Sequence, residues 1–201
     1  MSWKRLVGAC ALLAAPIFVG CASTSVDAIE PPTEEQTMEK WTAFATPGDG
    51  HKVLADKVGR WNLTVKMFDE RMPEAMTSTA TSDVRWVMDG RYLEDRTRGE
   101  TPWGVFEGLG YTGYDNLKQK YVGTWCDNMG TGLMVAEGTY DAATKTFHYA
   151  GMGPDIDRGR YVPTHSIERW IDADHWVMEA YGPGYDGNER KMMEIEYVRA
   201  R

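Results

Sequence analysis

Apolar and polar residues alternate with a period of two along most of the chain after residue 60. Trp61, Leu63, Val65 and Met67 share one side of the first such segment, and polar residues separate them. This alternation is typical of a half-buried β-strand. The same pattern predicts further strands within residues 77–88, 91–98, 105–127 (two strands), 133–140, 146–152, 161–171, 175–181 and 190–199.

The segment from Val105 to Asp127 predicts a central β-hairpin. Its turn is expected at residues 115–118, where the Asp115 and Asn116 side chains can bond to their own backbone. Glycine inside a strand marks a bulge, a sharp bend or a close approach of the backbone. This hairpin contains four such glycines: Gly108, Gly110, Gly113 and Gly123. They indicate a tightly coiled sheet.

Turns, not helices, separate the predicted strands. Asp89-Gly90 is the strongest short hairpin signal in the chain. About ten short strands connected in this way predict an all-β protein built as an antiparallel meander. Because closure removes exposed sheet edges, we predict a closed or nearly closed antiparallel β-barrel.

One or two short helices are predicted before the barrel. Thr33 supplies a hydroxyl N-cap for the first helix, and Pro47-Gly48 ends it. A second short helix at residues 51–58 places Leu54 and Val58 on one face. We expect this second helix to cover one end of the barrel.

The first 20 residues are typical of an export leader. Lys4 and Arg5 precede an apolar run, and small residues precede Cys21. Phe18-Val19-Gly20-Cys21 resembles a bacterial lipobox, in which the cysteine is acylated and becomes the mature N-terminus. An ordinary cleaved leader is the alternative. Since Ala22 follows the cysteine, the resemblance implies an outer-membrane lipoprotein of the cell envelope that faces the periplasm.

These patterns divide the chain into three parts. Residues 1–20 form the export leader with its lipobox. Residues 21–46 hold the lipidated cysteine, a flexible tether and a short helix, and residues 47–201 form the barrel. The formal net charge of −8 and the lack of a basic patch argue against a nucleic-acid partner. Cys126 is the single cysteine after Cys21, so the barrel is expected to be stable without an intrachain disulfide.

Seven short motifs follow one another through the barrel region: His51-x-x-Leu54 leading to Gly59-x-Trp61, Asp89-Gly90-Arg91-Tyr92, Phe106-Glu107-Gly108, Gly113-Tyr114-Asp115-Asn116, Trp125-x-Asp127, Glu137-Gly138-Thr139 and Tyr197-x-Arg199. Together they resemble the bacterial domain-of-unknown-function family 1579. The resemblance implies a lipocalin-like, calycin-type barrel. It implies no catalytic residues, because no activity is established for the family. It also implies that Arg199 covers Trp61 and closes the barrel, as a terminal cation does in calycins.

A barrel of eight to ten strands holds side chains or one small ligand in its interior. Polar residues in phase with apolar residues of the same strand are therefore candidates for a ligand site. If the apolar phase faces inward, the ligand-binding residues include Tyr92, Glu94, Arg96, Glu107, Tyr111 and Glu137. Trp86, Trp103 and Trp125 are further candidates for an apolar ligand pocket, and the alternative for these tryptophans is a plain hydrophobic core. The alternative is that these strands turn their carboxylates outward, since a bulge can reverse the phase. Trp103 is expected at the barrel mouth.

No metal-ligand spacing or nucleophile motif stands out, so no metal or catalytic residues are predicted and the cofactor stays open. Three hypotheses follow. In the first, a barrel anchored to outer-membrane lipid through acylated Cys21 binds a small apolar or amphipathic ligand in its lumen. In the second, a haem-binding or enzymatic barrel uses a lumenal carboxylate or histidine, with His148 or His165 as haem candidates. In the third, side chains fill the lumen and the protein is a structural or interaction module.

Overall fold

The computed structural model describes residues 26–101 and 104–201. The predicted leader, Cys21 and Trp103 lie outside these residues. Met1–Thr33 and Glu34–Arg201 form two separate units. Residues 26–33 of the first unit have no regular secondary structure.

The second unit contains two short helices followed by ten strands. The helical part comprises α1 (Glu34–Ala45), α2 (Asp49–Val53) and a 3₁₀ turn (Leu54–Lys57). The strands are β1 (Gly59–Met67), β2 (Met76–Val87), β3 (Tyr92–Thr101), β4 (Gly104–Asp115), β5 (Lys120–Asp127), β6 (Met134–Asp141), β7 (Thr146–Asp155), β8 (Arg160–Asp172), β9 (His175–Pro183) and β10 (Glu189–Arg199). No helix of the described residues is both long and apolar enough to cross a membrane.

The ten strands form one closed antiparallel barrel. Each strand pairs with its neighbours in sequence, and β1 pairs with β10 from Trp61↔Arg199 to Met67↔Met193. Closure leaves no strand of the barrel with an unpaired edge. The predicted fold class, a barrel of about ten strands preceded by short helices, is confirmed.

β4 and β5 form the predicted central hairpin. At its turn, Asp115 Oδ1 accepts hydrogen bonds from the backbone nitrogens of Leu117 (2.9 Å) and Lys118 (3.0 Å). The Asn116 amide does not bond to its own turn. Its Nδ2 donates to three carbonyls at the end of α1, at 2.8–3.1 Å. The turn therefore holds α1 against the barrel.

The glycines of this hairpin make room for aromatic rings. A Cβ at Gly108 would overlap the Trp125 ring, and one at Gly113 would lie 2.6 Å from the Tyr92 ring. The β4–β5 register is unbroken, so these glycines mark close approach and not bulges. Gly123 differs from them, because no described atom outside residues 122–124 lies within 4 Å of the position its Cβ would occupy.

The short helical segments cover one end of the barrel, which we call the closed end. His51 of α2 is buried and meets the Tyr114 ring edge-on at 5.9 Å between centroids. Leu54, at the start of the 3₁₀ turn, is fully buried. Beneath them lies an aromatic core that includes Trp61, Tyr121, Phe147, Tyr149, Trp176 and Tyr197. The helix expected at residues 51–58 is thus divided between α2 and the 3₁₀ turn.

Arg199 lies over Trp61 at the closed end, with its guanidinium carbon 4.2 Å from the ring centroid. Trp61 is fully buried, and its indole nitrogen donates to the Lys57 carbonyl at 2.8 Å. The Arg199 guanidinium also donates to the Val58 carbonyl and to Asp174 Oδ1, each at 2.9 Å. Arg199 therefore joins the last strand to the first strand and to the 3₁₀ turn that precedes it.

Arg199→Ala is expected to lower the free energy of unfolding by about 2 kcal/mol, because it removes the cation–π contact and the hydrogen bonds to the closed end. Ligand binding in the lumen should persist. Urea unfolding followed by tryptophan fluorescence measures the effect. Arg60→Ala is the control, since Arg60 is exposed on β1. An unchanged midpoint for Arg199→Ala would show that the contact does not stabilise the barrel.

Candidate functional site

Strand register determines which residues face the barrel interior. Trp61 and Leu63 belong to the buried core, so the residues opposite them on each paired strand also face inward. Inward residues are mainly aromatic at the closed end. Farther along the barrel they include six small residues: Ser78, Ala80, Gly123, Ala136, Ser166 and Ala180. These six residues are only half-buried, so solvent reaches this part of the lumen.

An ion pair is buried inside the barrel. Lys57 extends from the 3₁₀ turn and pairs with Glu168 of β8. Their side chains are 8% and 18% exposed. The Lys57 ammonium also lies 4.6 Å from the Phe147 ring centroid and 4.8 Å from the Trp176 ring centroid. Because little solvent reaches the pair, each charge depends on the other.

Asp95 places a second carboxyl group inside the barrel. It faces inward on β3, opposite Val84 of β2. Its Oδ1 accepts hydrogen bonds from Ser82 Oγ at 2.6 Å and from Thr97 Oγ1 at 3.0 Å. Burial raises the pKa of Asp95 above its ordinary value of 3.8, and the two hydroxyls oppose this shift only in part.

Two buried polar atoms in the same region, Tyr149 Oη and Trp176 Nε1, have no hydrogen-bond partner among the described residues. The Tyr149 ring stacks on Phe147 at 6.1 Å between centroids. The Trp176 ring stacks on Tyr197 at 3.6 Å. We call Lys57, Asp95, Tyr149, Glu168 and Trp176 the lumenal polar cluster. It combines charged groups with two unsatisfied hydrogen-bonding groups inside an aromatic enclosure.

Six of the nine predicted ligand residues face away from the lumen: Tyr92, Glu94, Arg96, Glu107, Tyr111 and Glu137. The expectation that these residues of β3, β4 and β6 face the lumen is therefore wrong. The inward residues of β4 are instead Phe106, Gly108, Gly110, Thr112 and Tyr114. The reason is steric, because the glycines are needed beneath the Trp125 ring.

Three of these outward residues meet on the outer surface. Glu94 accepts hydrogen bonds from Arg96 Nε at 2.8 Å and from Tyr111 Oη at 3.0 Å. Arg85 adds a third contact, at 2.8 Å. The hydrogen bond from Arg96 is the main cause that lowers the pKa of Glu94 to about 2. This cluster stabilises the sheet surface and lines no cavity of the lumen.

Glu107 and Glu137 are ion-paired on the outer surface. Glu107 pairs with Arg98, one strand away. Glu137 pairs with Lys118 at 2.6 Å and with Lys120 at 3.2 Å. Neither carboxylate is therefore available to the lumen.

Trp86 and Trp125 face the interior. Trp86 is partly buried and packs against the aromatic core. The Trp125 ring lies across Gly108, and its indole nitrogen donates to Asp127 Oδ2 at 3.0 Å. Trp103, the residue expected at the mouth, lies outside the described residues.

Both histidines considered as haem ligands lie on the outer face. His148 and His165 alternate with the inward residues Tyr149 and Ser166. They line a shallow outer groove of about 330 Å³ that also contains Glu137. Haem in the lumen could not reach either histidine. Within residues 26–101 and 104–201, no three His, Cys, Asp or Glu side chains are arranged to hold a metal ion.

The charged residues that do face the lumen were not among the predicted ligand residues. Asp95 lies two residues from Leu93 on the same strand, and Glu168 lies two residues from Trp170. Because residues two apart share one face of a strand, the burial of Leu93 and Trp170 could have predicted that both carboxyl groups face inward. Lys57 offered no such signal, because a lysine in a short helix usually faces solvent. Its ion pair with Glu168 and its contacts with the Phe147 and Trp176 rings account for its burial.

The closed barrel with one covered end is a lipocalin-like fold. The chain belongs to the family described as "Protein of unknown function (DUF1579)", which matches residues 46–199. This confirms the resemblance seen in the seven motifs. Among curated proteins, none matches the sequence.

Three solved structures that match this chain share little sequence with it. Rv2717c from M. tuberculosis is 12% identical with a TM-score of 0.58, over 78% of this chain and 100% of that one. The redesigned β-barrel b11L5F_LGL is 10% identical with a TM-score of 0.37, over 76% and 96% of the two chains. EF1p2_mFAP2b bound to DFHBI is 9% identical with a TM-score of 0.39, over 76% and 100%.

The raised pKa of Asp95 predicts that stability falls as pH rises. Well below 3.8, Asp95 is protonated in both the folded and the unfolded chain. Above that value the unfolded chain ionises first, so the folded state loses stability until pH passes the raised pKa. Asp95→Asn removes this loss. The melting temperature of this variant should rise relative to that of the unmodified protein as the pH increases above 3.8.

Glu94→Gln is the control on the neighbouring residue. The pKa of Glu94 is shifted in the opposite direction from that of Asp95, so the variant should change the melting temperature in the opposite direction. The lowered pKa of Glu94 stabilises the folded state above its ordinary value of 4.5, and this stabilisation is lost as pH falls towards about 2. The glutamine variant should therefore melt below the unmodified protein near neutral pH. A pH-independent difference for Asp95→Asn would contradict the assignment of Asp95 to a buried site.

Proposed function

We propose that the protein binds a small amphipathic molecule in the barrel lumen. The observation that carries the proposal is the lumenal polar cluster, a set of charged and unsatisfied groups buried in a barrel whose small inward residues are only half-buried. Binding sites for small molecules are concave and mainly apolar, with a few convergent polar groups that orient the ligand. The interior of this barrel has that composition.

The wall around the cluster is apolar and adaptable. Val65, Met178, Met193 and Ile195 face inward on adjoining strands and pack at the edge of the aromatic core. Methionine side chains are unbranched and flexible, so they fit ligands of different shape. The apolar part of the molecule would contact this wall, and its polar part would contact the cluster.

A lumen filled by side chains is a weaker hypothesis. Gly123 faces inward, and no described atom outside residues 122–124 lies within 4 Å of its Cβ position. The small inward residues around it are half-buried, which favours an interior that solvent enters at this level. An enzymatic role through Asp95 or Glu168 would require the same bound molecule. Binding is therefore the step to test first.

Gly123→Leu should block binding, because it adds a side chain inside the lumen where Gly123 leaves space. The fluorescent probe N-phenyl-1-naphthylamine, which brightens in apolar surroundings, reports the change. We expect the apparent affinity for the probe to fall at least about tenfold, which corresponds to a loss of about 1.4 kcal/mol of binding free energy. Thr124→Leu is the matched control, since Thr124 points outward from the next position of β5. Equal loss in both variants, or no binding by the unmodified protein, would contradict the proposal.

We also propose that acylated Cys21 anchors the barrel to the outer membrane. Support comes from the lipobox-like segment Phe18–Cys21 and from Ala22 after it. Acyl chains contribute about 0.8 kcal/mol per buried methylene, so a multiply acylated cysteine holds the protein firmly to a bilayer.

Cys21→Ala is expected to move the full-length protein from the membrane fraction to the soluble fraction, and to abolish incorporation of labelled palmitate. Cys10→Ala is the control within the leader and should change neither result. Palmitate incorporation that survives Cys21→Ala would exclude this cysteine as the acylation site.

A further inference from the structure

Helix α1 presents an apolar surface that the described part of the chain leaves exposed. Of its 12 residues, none is buried. Met38, Trp41 and Phe44 are 66%, 63% and 48% exposed. Because residues three apart are neighbours on a helix surface, these side chains lie along one side of α1. The Trp41 and Phe44 rings meet edge-on at 6.0 Å between centroids. We call Met38, Trp41 and Phe44 the α1 face.

Hydrogen bonds at one end attach α1 to the barrel. The Asn116 amide donates to the Ala43 and Phe44 carbonyls at 3.0 and 3.1 Å. These bonds fix the last turn of the helix and leave the α1 face exposed. A helix of this length is marginal in water by itself, and helices in proteins gain most of their stability by burying an apolar face. We therefore expect α1 to be stabilised by a partner that covers this face.

The size and charge of α1 argue against a second copy of the chain as this partner. An aromatic side chain buries roughly 150–250 Å², so three large side chains that are half to two-thirds exposed offer roughly 400 Å². A stable protein interface takes about 800 Å² from each partner. In addition, α1 contains Glu34, Glu35 and Glu39 but only one basic residue, Lys40. Two copies of the helix would bring these carboxylates together, where like charges repel.

The position of α1 in the chain favours a lipid bilayer. Cys21 is the proposed acylation site, and α1 begins at Glu34. Even fully extended, the chain between them spans at most about 45 Å, so α1 stays within reach of a bilayer that holds the acyl chains. Helices that lie in a membrane interface place Trp and Phe against the acyl region. The acidic polar side of α1 suits a neutral phospholipid surface better than an anionic one.

We infer that α1 lies in the interface of a neutral phospholipid bilayer, with Met38, Trp41 and Phe44 in contact with the acyl chains. This inference rests on the proposed acyl anchor, which brings the bilayer to α1. The β4–β5 turn that binds α1 lies at the closed end of the barrel. The helix therefore turns the closed end towards the membrane, and the other end of the lumen faces away from it.

Hydrogen exchange of residues 34–45 in the purified full chain tests the inference. We expect these amides to exchange more slowly on vesicles of phosphatidylcholine than in solution. Trp41→Ser should remove this protection and leave the melting temperature in solution unchanged, because the Trp41 side chain is exposed. Glu39→Ser is the matched control on the opposite side of the helix and should keep the protection. Equal exchange with and without vesicles would overturn the inference. Protection that rises only with protein concentration would assign the α1 face to a second copy and would also overturn it.

Quenching by brominated phosphatidylcholine shows whether Trp41 itself enters the bilayer. Bromine quenches tryptophan at short range, so the emission that Trp41→Phe removes should be quenched in vesicles of this lipid. No quenching of that emission would contradict the inference. Both measurements are separate from palmitate incorporation at Cys21. A chain that takes up no palmitate but has a protected α1 would contradict the proposed anchor and support the bilayer contact. An acylated chain with an unprotected α1 would contradict the bilayer contact alone.

Discussion

Pairing of β1 with β10 is the constraint on which the whole structure depends. It joins Trp61–Met67 to Met193–Arg199 and turns a ten-strand meander into an enclosure. The lumenal polar cluster draws residues from the 3₁₀ turn and from β3, β7, β8 and β9. No single hairpin contains them, so the site exists only when the sheet is closed. The contact of Arg199 with Trp61 stabilises that closure at one end.

The barrel interior contains residues whose packing stabilises the fold and residues whose burial does not. At the closed end, aromatic rings pack edge-on and stacked, as Tyr121 and Phe147 do at 4.9 Å. Such packing needs no charge. The Lys57–Glu168 pair, by contrast, is desolvated, and a buried pair is often no more stable than apolar residues of similar volume. The proposed binding function would account for this pair and for the two unsatisfied donors of the same cluster.

Glu94 and Asp95 show how one strand serves two purposes. They are consecutive, yet their pKa values shift in opposite directions. Glu94 points outward, where Arg96 and Arg85 donate to it and favour its charged form. Asp95 points inward, where burial disfavours charge and two hydroxyls are its hydrogen-bond donors. A single step along a β-strand therefore separates a surface ion cluster from a group of the lumenal site.

The period-two alternation was enough to predict ten strands, their turns and the closed barrel, because strand and hairpin signals are local. The direction in which β3, β4 and β6 face was not predictable from each strand alone, since both phases of β4 carry apolar residues. Register with neighbouring strands decides it, and the ring of Trp125 over Gly108 and Gly110 fixes β4. The burial of Lys57 depended entirely on tertiary structure, because its partner Glu168 lies 111 residues away along the chain.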